Sequence, residues 1–99
     1  MALSVEVVSR TSSQWSGSAS AVSVPLIDGN MGILPGRAPV LALLGSGKVR
    51  ITEENGEVRE IEVQDGFFSL DHDVVTIAAD YAGDEIERHA SDEQDSSDN

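Results

Sequence analysis

The stretch Lys48-Val49-Arg50-Ile51-Thr52-Glu53-Glu54-Asn55-Gly56-Glu57-Val58-Arg59-Glu60-Ile61-Glu62-Val63 reads as two half-buried strands folded back on each other. Val49 and Ile51, then Ile61 and Val63, alternate with polar neighbours, the period-two pattern of a strand with one face inward. Asn55-Gly56 marks the reversal. A two-residue Asn-Gly turn would set Val49 against Glu62 and Ile51 against Glu60, mixing apolar and charged side chains on one face. A three-residue loop ending in a left-handed Gly56 sets Val49 against Ile61 and Arg50 against Glu60. Because one residue of slip moves every side chain to the opposite face, burial selects the three-residue loop.

The same pattern extends outward. Leu3, Val5 and Val7 alternate with polar residues, as do Val22, Val24 and Leu26. Trp15–Ser20 reads as a small-residue turn region between those strands. Phe67, Phe68 and Leu70, then Val74, Val75 and Ile77, form a last hairpin turned by Asp71-His72-Asp73. Punctuation at Pro25, Gly29, Gly32 and Pro35 excludes a long helix there. Many short strands joined by glycine-containing turns predict an all-β fold, an antiparallel sandwich or barrel, over residues 1–82. After Ala82 the character changes. Residues 83–99 hold seven acids and one base, and Ile86 is their only large apolar side chain. Such a segment cannot offset its ordering entropy by burial, so a disordered acidic tail is expected, with at most a frayed helical turn or two over residues 85–90.

Ninety-nine residues provide one core and no second domain. The chain has no cysteine, which removes disulfides and thiolate metal sites. The N-terminus lacks the basic start and apolar core of a signal peptide. The longest apolar run, Ala38 to Leu44, is far short of the ~20 residues that span a bilayer. The expectation is a soluble, cytoplasmic chain without direct membrane insertion, reaching a membrane only through a protein partner. Net charge is −12, so nucleic acid and anionic lipid are repelled.

Candidate chemistry is sparse. Gly45-Ser46-Gly47-Lys48 invites a phosphate-loop reading, but Ala42 and Val49 stand where that motif needs Gly and Ser or Thr, and no helix follows. It reads instead as a turn entering a strand. Asp71-His72-Asp73 cannot converge on one metal ion from an extended chain, because successive side chains point apart. The serines show no triad spacing on a rigid scaffold. Glu53, Glu54, Glu57, Glu60 and Glu62 form a solvated acidic face on the hairpin rather than a tuned carboxylate pair. No enzyme activity and no cofactor, nucleotide or metal are expected. Trp15 is equally a packing residue and a binding anchor on this evidence.

Gly29-Asn30-Met31-Gly32-Ile33-Leu34-Pro35-Gly36-Arg37-Ala38-Pro39 stands apart. Glycines at three positions and prolines at two mean that backbone shape matters here. A flexible linker would lack the apolar Met31, Ile33 and Leu34. The stretch predicts an ordered, protruding loop whose apolar residues are either tucked beneath it or exposed for a partner.

This run resembles the signature loop of the epsilon subunit of bacterial F-type ATP synthases, G-x-x-G-I-x-P-G-H-x-P, with Arg37 where the family usually has histidine. An acidic residue is common where Asn30 stands. Val5-Glu6-Val7-Val8-Ser9 and Trp15-Ser16-Gly17 resemble the family's first strand and the turn after it. Gly47-Lys48-Val49-Arg50-Ile51, Asp65-Gly66-Phe67-Phe68 and the segment from Val74 to Ala82 resemble its later strands. The resemblance covers residues 3–82 and implies a flattened sandwich of two sheets. It also implies a non-catalytic central-stalk subunit that helps attach the gamma subunit to the c-ring, alongside other subunits of the catalytic sector. Such a subunit sits peripherally on the cytoplasmic side of the bacterial cell membrane and couples transmembrane ion flow to ATP synthesis. Carried over by position, Gly29, Asn30, Met31 and Gly32 are the c-ring contact. Ile33, Leu34, Pro35, Gly36, Arg37 and Pro39 shape the loop or extend that contact. Many members continue into an inhibitory C-terminal helical hairpin, which residues 83–99 are too few and too polar to form. The alternative reading is a small-ligand-binding β-sandwich module.

Overall fold

The computed structural model describes residues 2–86. The tail expected to be disordered falls outside these residues from position 87 onward. Seven strands make up the domain: β1 (Leu3–Val8), β2 (Ser13–Leu26), β3 (Gly29–Ile33), β4 (Val40–Leu43), β5 (Ser46–Glu53), β6 (Val58–Asp71) and β7 (Val74–Ala82). Strands β1, β7, β6, β5 and β2 are hydrogen-bonded in that order, and β2 pairs back onto β1, so five strands close a flattened ring. Strand β3 hangs on β2 and β4 hangs on β6. The all-β sandwich expected from the alternation is therefore present. One pair departs from the antiparallel rule, because β1 runs parallel to β7. Side-chain alternation is blind to strand direction, and these two strands come from opposite ends of the domain.

The β5–β6 hairpin takes the register that burial demands. Val49 pairs with Ile61 and Arg50 with Glu60. The Glu53 N–H donates to the Glu57 carbonyl at 2.8 Å, enclosing Glu54, Asn55 and a left-handed Gly56 at φ 91°. The β6–β7 hairpin is tighter than expected. Asp71 pairs with Val74, leaving only His72 and Asp73 in the turn, both at positive φ (50° and 62°). That is the two-residue geometry whose twist suits flanking strands.

Trp15–Ser20, expected as a turn, is instead part of the long strand β2. Its small residues pair with β1 from Val7↔Trp15 to Leu3↔Ala19, so a neighbouring strand satisfies a backbone whose side chains gave no strand signal. Beyond a bulge between Ala19 and Ala21, β2 changes partner to β5 and β3.

Strand β6 also passes between sheets, by a different device. It turns a corner at Asp65 and Gly66, which take φ of 60° and 116°, without slipping register against β7. The corner reverses the inward parity. Ile61 and Val63 point into the sandwich before it, and Phe68 and Leu70 after it. The core is a continuous cluster that includes Leu3, Val7, Val24, Ile33, Leu44, Ile51, Phe68 and Ile77, each at most 2% exposed. Deleting the Phe68 ring from such a site costs about 3–5 kcal/mol.

Candidate functional site

The run expected as a loop divides in two. Gly29–Ile33 is strand β3, paired with β2 from Leu26↔Gly29 to Val22↔Ile33 around a two-residue turn at Ile27 and Asp28. Glycines at positions 29 and 32 suggested a loop, but a strand paired along one edge supplies the hydrogen bonds that their missing side chains cannot. Only residues 34–39 are irregular.

The alternation of β3 answers whether its apolar residues are hidden or displayed. Ile33 is 1% exposed and belongs to the core, and Met31 is half-buried against it. Gly29, Asn30 and Gly32 are exposed. Leu34, just past the strand, is 63% exposed. Pro35 is half-buried, and Gly36, Arg37 and Pro39 are exposed. The ten residues thus form an exposed strand edge followed by a stiff connection, rather than one apolar protrusion.

The connection is held by a residue that sequence reading treated only as part of a hairpin tip. Asp73 Oδ1 accepts a 2.8 Å hydrogen bond from the Gly36 N–H, where Gly36 turns at φ 89°. The Asp73 carbonyl also accepts from the Ser4 N–H at 2.8 Å. The turn residue therefore fastens the exit of the Gly/Pro run to the far hairpin. Its sequence signal was the Asp71-His72-Asp73 cluster, whose carboxylates hold the Gly36 main chain and the neighbouring His72.

A second surface lies on the outside of the sheet formed by β4, β6, β7 and β1. Leu43 pairs with Phe67, Phe67 with Ala78, and Ala78 with Val8, so one row of four strands is apolar. Leu41 and Leu43 are 76% and 60% exposed, and Phe67 is 47% exposed. Ile27, in the β2–β3 turn, borders the row through its N–H to the Leu43 carbonyl. Leu41, Ala42, Leu43 and Phe67 line a shallow depression of about 490 Å³. The outer face across the sandwich differs in character, because there Lys48 pairs with Glu62 and Arg50 with Glu60. A charged face solvates the domain and an apolar face awaits a neighbour. The sequence hid this patch, because Phe67 and Phe68 look alike until the corner at Gly66 assigns one outward.

Among the described residues no polar or charged side chain is buried, and no three His, Asp or Glu side chains gather as a metal site. A depression of about 850 Å³ is an open trough lined by Lys48, Glu60, Glu62 and Asp84 together with Ile61 and Ile86. It lacks the enclosing apolar walls of a small-molecule pocket. Trp15 is half-buried and packed against the core. Its ring lies over Gly17, where an added Cβ would come within 2.9 Å of the indole.

At the other end of the domain, Glu85 clasps the β1–β2 turn. One carboxylate oxygen accepts hydrogen bonds from the hydroxyls of Ser9, Thr11 and Ser12, and the other accepts from the Ala82 N–H. The Thr11 and Ser9 hydroxyls lead in holding the Glu85 carboxyl below its ordinary pKa. No helix among the described residues is long and apolar enough to cross a membrane.

Residues 2–84 match the family described as ATP synthase, Delta/Epsilon chain, beta-sandwich domain. The chain is 51% identical over 77 residues to the ATP synthase epsilon chain of Micrococcus luteus, covering 78% of this chain and 85% of that one. It is 42% identical over 81 residues to that of Corynebacterium diphtheriae, covering 81% of this chain and 66% of the relative. Solved structures share the fold. A chain of the Euglena gracilis mitochondrial ATP synthase, in an assembly of OSCP, F1 and c-ring, superposes with a TM-score of 0.76 at 19% identity, covering 82% of this chain and 52% of that one. One from the central stalk and c-ring of the Tetrahymena thermophila enzyme gives 0.67 at 13%, covering 81% and 64%.

Proposed function

The chain belongs to the Delta/Epsilon-chain β-sandwich family of ATP synthase, and from that premise we propose that it is a non-catalytic rotor subunit joining the gamma subunit to the c-ring. The observation that carries this reading is the pairing of two unlike surfaces on a rigid sandwich. The apolar row of Leu43, Phe67, Ala78 and Val8, with Leu41 beside it, is the face for gamma. The exposed edge at Gly29, Asn30, Met31 and Gly32 meets the ring, and Ile33, Leu34, Pro35, Gly36, Arg37 and Pro39 shape or extend that contact.

Mechanically, the closed ring of strands matters more than any side chain. A clamp between shaft and ring must transmit torque without unfolding, and a sheet without open edges through its centre resists local opening. The subunit has no active site of its own and acts at the cytoplasmic face of the bacterial membrane through the complex. Residues 83–99 carry Ile86 as their only large apolar side chain, so the proposed role does not include inhibition of hydrolysis by helix insertion. Deleting residues 87–99 leaves ATP hydrolysis by the assembled complex unchanged, and relief of strong inhibition on deletion would contradict this.

Calorimetry of the purified chain against its cognate gamma subunit tests the main reading. One-to-one binding that Leu43→Asp weakens, and Asn30→Ala does not, is the expected result. A folded chain that fails to bind gamma at micromolar concentration overturns it and returns the small-ligand module to first place.

A further inference from the structure

Where β7 ends, the chain does not leave the sandwich directly. Gly83 takes φ 58° and its N–H donates to the Glu62 carbonyl at 2.9 Å, while the Ile86 N–H returns to the Gly83 carbonyl at 3.2 Å. This single turn carries Glu85 back onto the β1–β2 turn, 76 positions from Ser9 in sequence.

What Glu85 grips is a turn organised by one side chain. The Ser9 hydroxyl oxygen accepts from the N–H groups of Thr11 and Ser12 at 3.3 and 3.2 Å, an arrangement that short hydroxyl side chains favour in turns. The same hydroxyl donates to Glu85 Oε2 at 2.9 Å, and the Thr11 and Ser12 hydroxyls donate to that oxygen as well. A charged acceptor makes these the stronger kind of hydrogen bond. Arg10 lies between the gripped Ser9 and Thr11, so the grip fixes the backbone from which Arg10 extends.

Arg10 in turn stands at the rim of the apolar face. Val8 and Ala78 pair at the end of the apolar row, and Arg10 and Asp80 follow two residues further along the same two stretches of chain. Arg10 Nε lies 3.7 Å from Asp80 Oδ1, and its guanidinium carbon lies 5.9 Å from the centre of the Tyr81 ring. These are loose contacts on a side chain that is 67% exposed. An exposed ion pair of that length orders a side chain only weakly, which leaves the positioning to the main-chain turn beneath it. Arginine beside an apolar patch is also a residue type that anchors protein interfaces.

We infer that residues 83–86 are a clasp that sets the affinity of the apolar face for gamma: Glu85, seated on the Ser9–Ser12 turn, holds Arg10 where gamma meets it, and release of Glu85 weakens the complex. This rests on the rotor reading above and adds a control on its gamma-facing surface, exerted from the root of the C-terminal segment. Arg10 makes the contact and Glu85 is a positioning residue. Such coupling is reciprocal, so gamma tightens the clasp by the factor that the clasp tightens gamma.

The test is calorimetry of the full chain and its variants against the cognate gamma subunit. Glu85→Ala and Arg10→Ala should each weaken binding about fivefold, the low end of site-to-site coupling. The double variant should lose no more than either single one, because both remove the same contact. Truncation after Ile86 keeps the clasp and should leave the affinity unchanged. In the wild-type chain, which needs no variant to fold, amide exchange at Thr11 and Ser12 should slow when gamma binds. Wild-type affinity in Glu85→Ala overturns the inference and spares the rotor reading, as does unaltered exchange at both amides in the complex. Losses that add in the double variant overturn it too, because the two residues would then act separately. Weaker binding on truncation after Ile86 would assign the effect to residues 87–99 themselves and overturn the clasp. A folded wild-type chain that does not bind gamma refutes the rotor reading instead.

Discussion

Gly66→Ala should cripple the fold, and the magnitude can be worked from the corner of β6. Gly66 sits at φ 116°, and a Cβ built there lies 2.1 Å from the Ala78 carbonyl oxygen and 2.8 Å from the Ala79 Cα. Both obstacles are backbone of β7, which is fixed by its own ladder and cannot rotate aside. Forcing an L-residue to positive φ costs about 1–2 kcal/mol, and the overpacking adds about 1–3 kcal/mol. A loss of about 2–5 kcal/mol from a total of about 5–15 kcal/mol leaves little margin. For a domain of this size that corresponds to a fall in melting temperature of roughly 10–30 °C. Thermal and urea denaturation of Gly66→Ala should be compared with Gly56→Ala. At Gly56, φ is 91° but nothing lies within 4 Å of the added Cβ, so only the backbone term remains. Equal losses in the two variants would refute the reasoning, because the clash with β7 would then contribute nothing.

Three further outcomes follow from the structure. Gly17→Ala pushes the Trp15 indole off the strand, so emission of this sole tryptophan should shift to the red with a loss of about 1 kcal/mol, read by fluorescence and denaturation. Glu85→Gln should flatten the acid limb of the stability profile. A carboxylate whose pKa is lowered on folding stabilises above its unfolded pKa and loses that contribution as pH falls through the lowered one, so wild type and variant should converge in acid. Asp73→Ala removes the acceptor of the Gly36 N–H and should speed amide exchange at Gly36 while leaving that at the core residue Ile51 unchanged. The same exchange at Gly36 in wild type and variant would show that the prolines alone hold the connection.

The elements legible in the sequence were those whose side chains report their own surroundings. Val49, Ile51, Ile61 and Val63 specify both a hairpin and its register, because only one register puts all four inward. Leu3, Val5 and Val7 declare a strand in the same way. The acidic composition fixed which partners are repelled, and the Gly/Pro run marked the region that the family resemblance assigns to docking. Other features were silent because their cause lies across the chain. Ser16, Gly17 and Ser18 become strand only because β1 pairs with them. Gly29–Ile33 becomes an edge because no strand follows β3 in the sheet. Asp73 became a fastener of the signature run only once folding brought Gly36 within 2.8 Å, from 37 residues away. The apolar face depended on a backbone reversal at Asp65 and Gly66 that turns Phe68 in and Phe67 out, and composition cannot tell one phenylalanine from its neighbour. Local alternation, turn chemistry and charge are encoded residue by residue. Facing, pairing and exposure are properties of the closed sandwich, decided by which backbones meet.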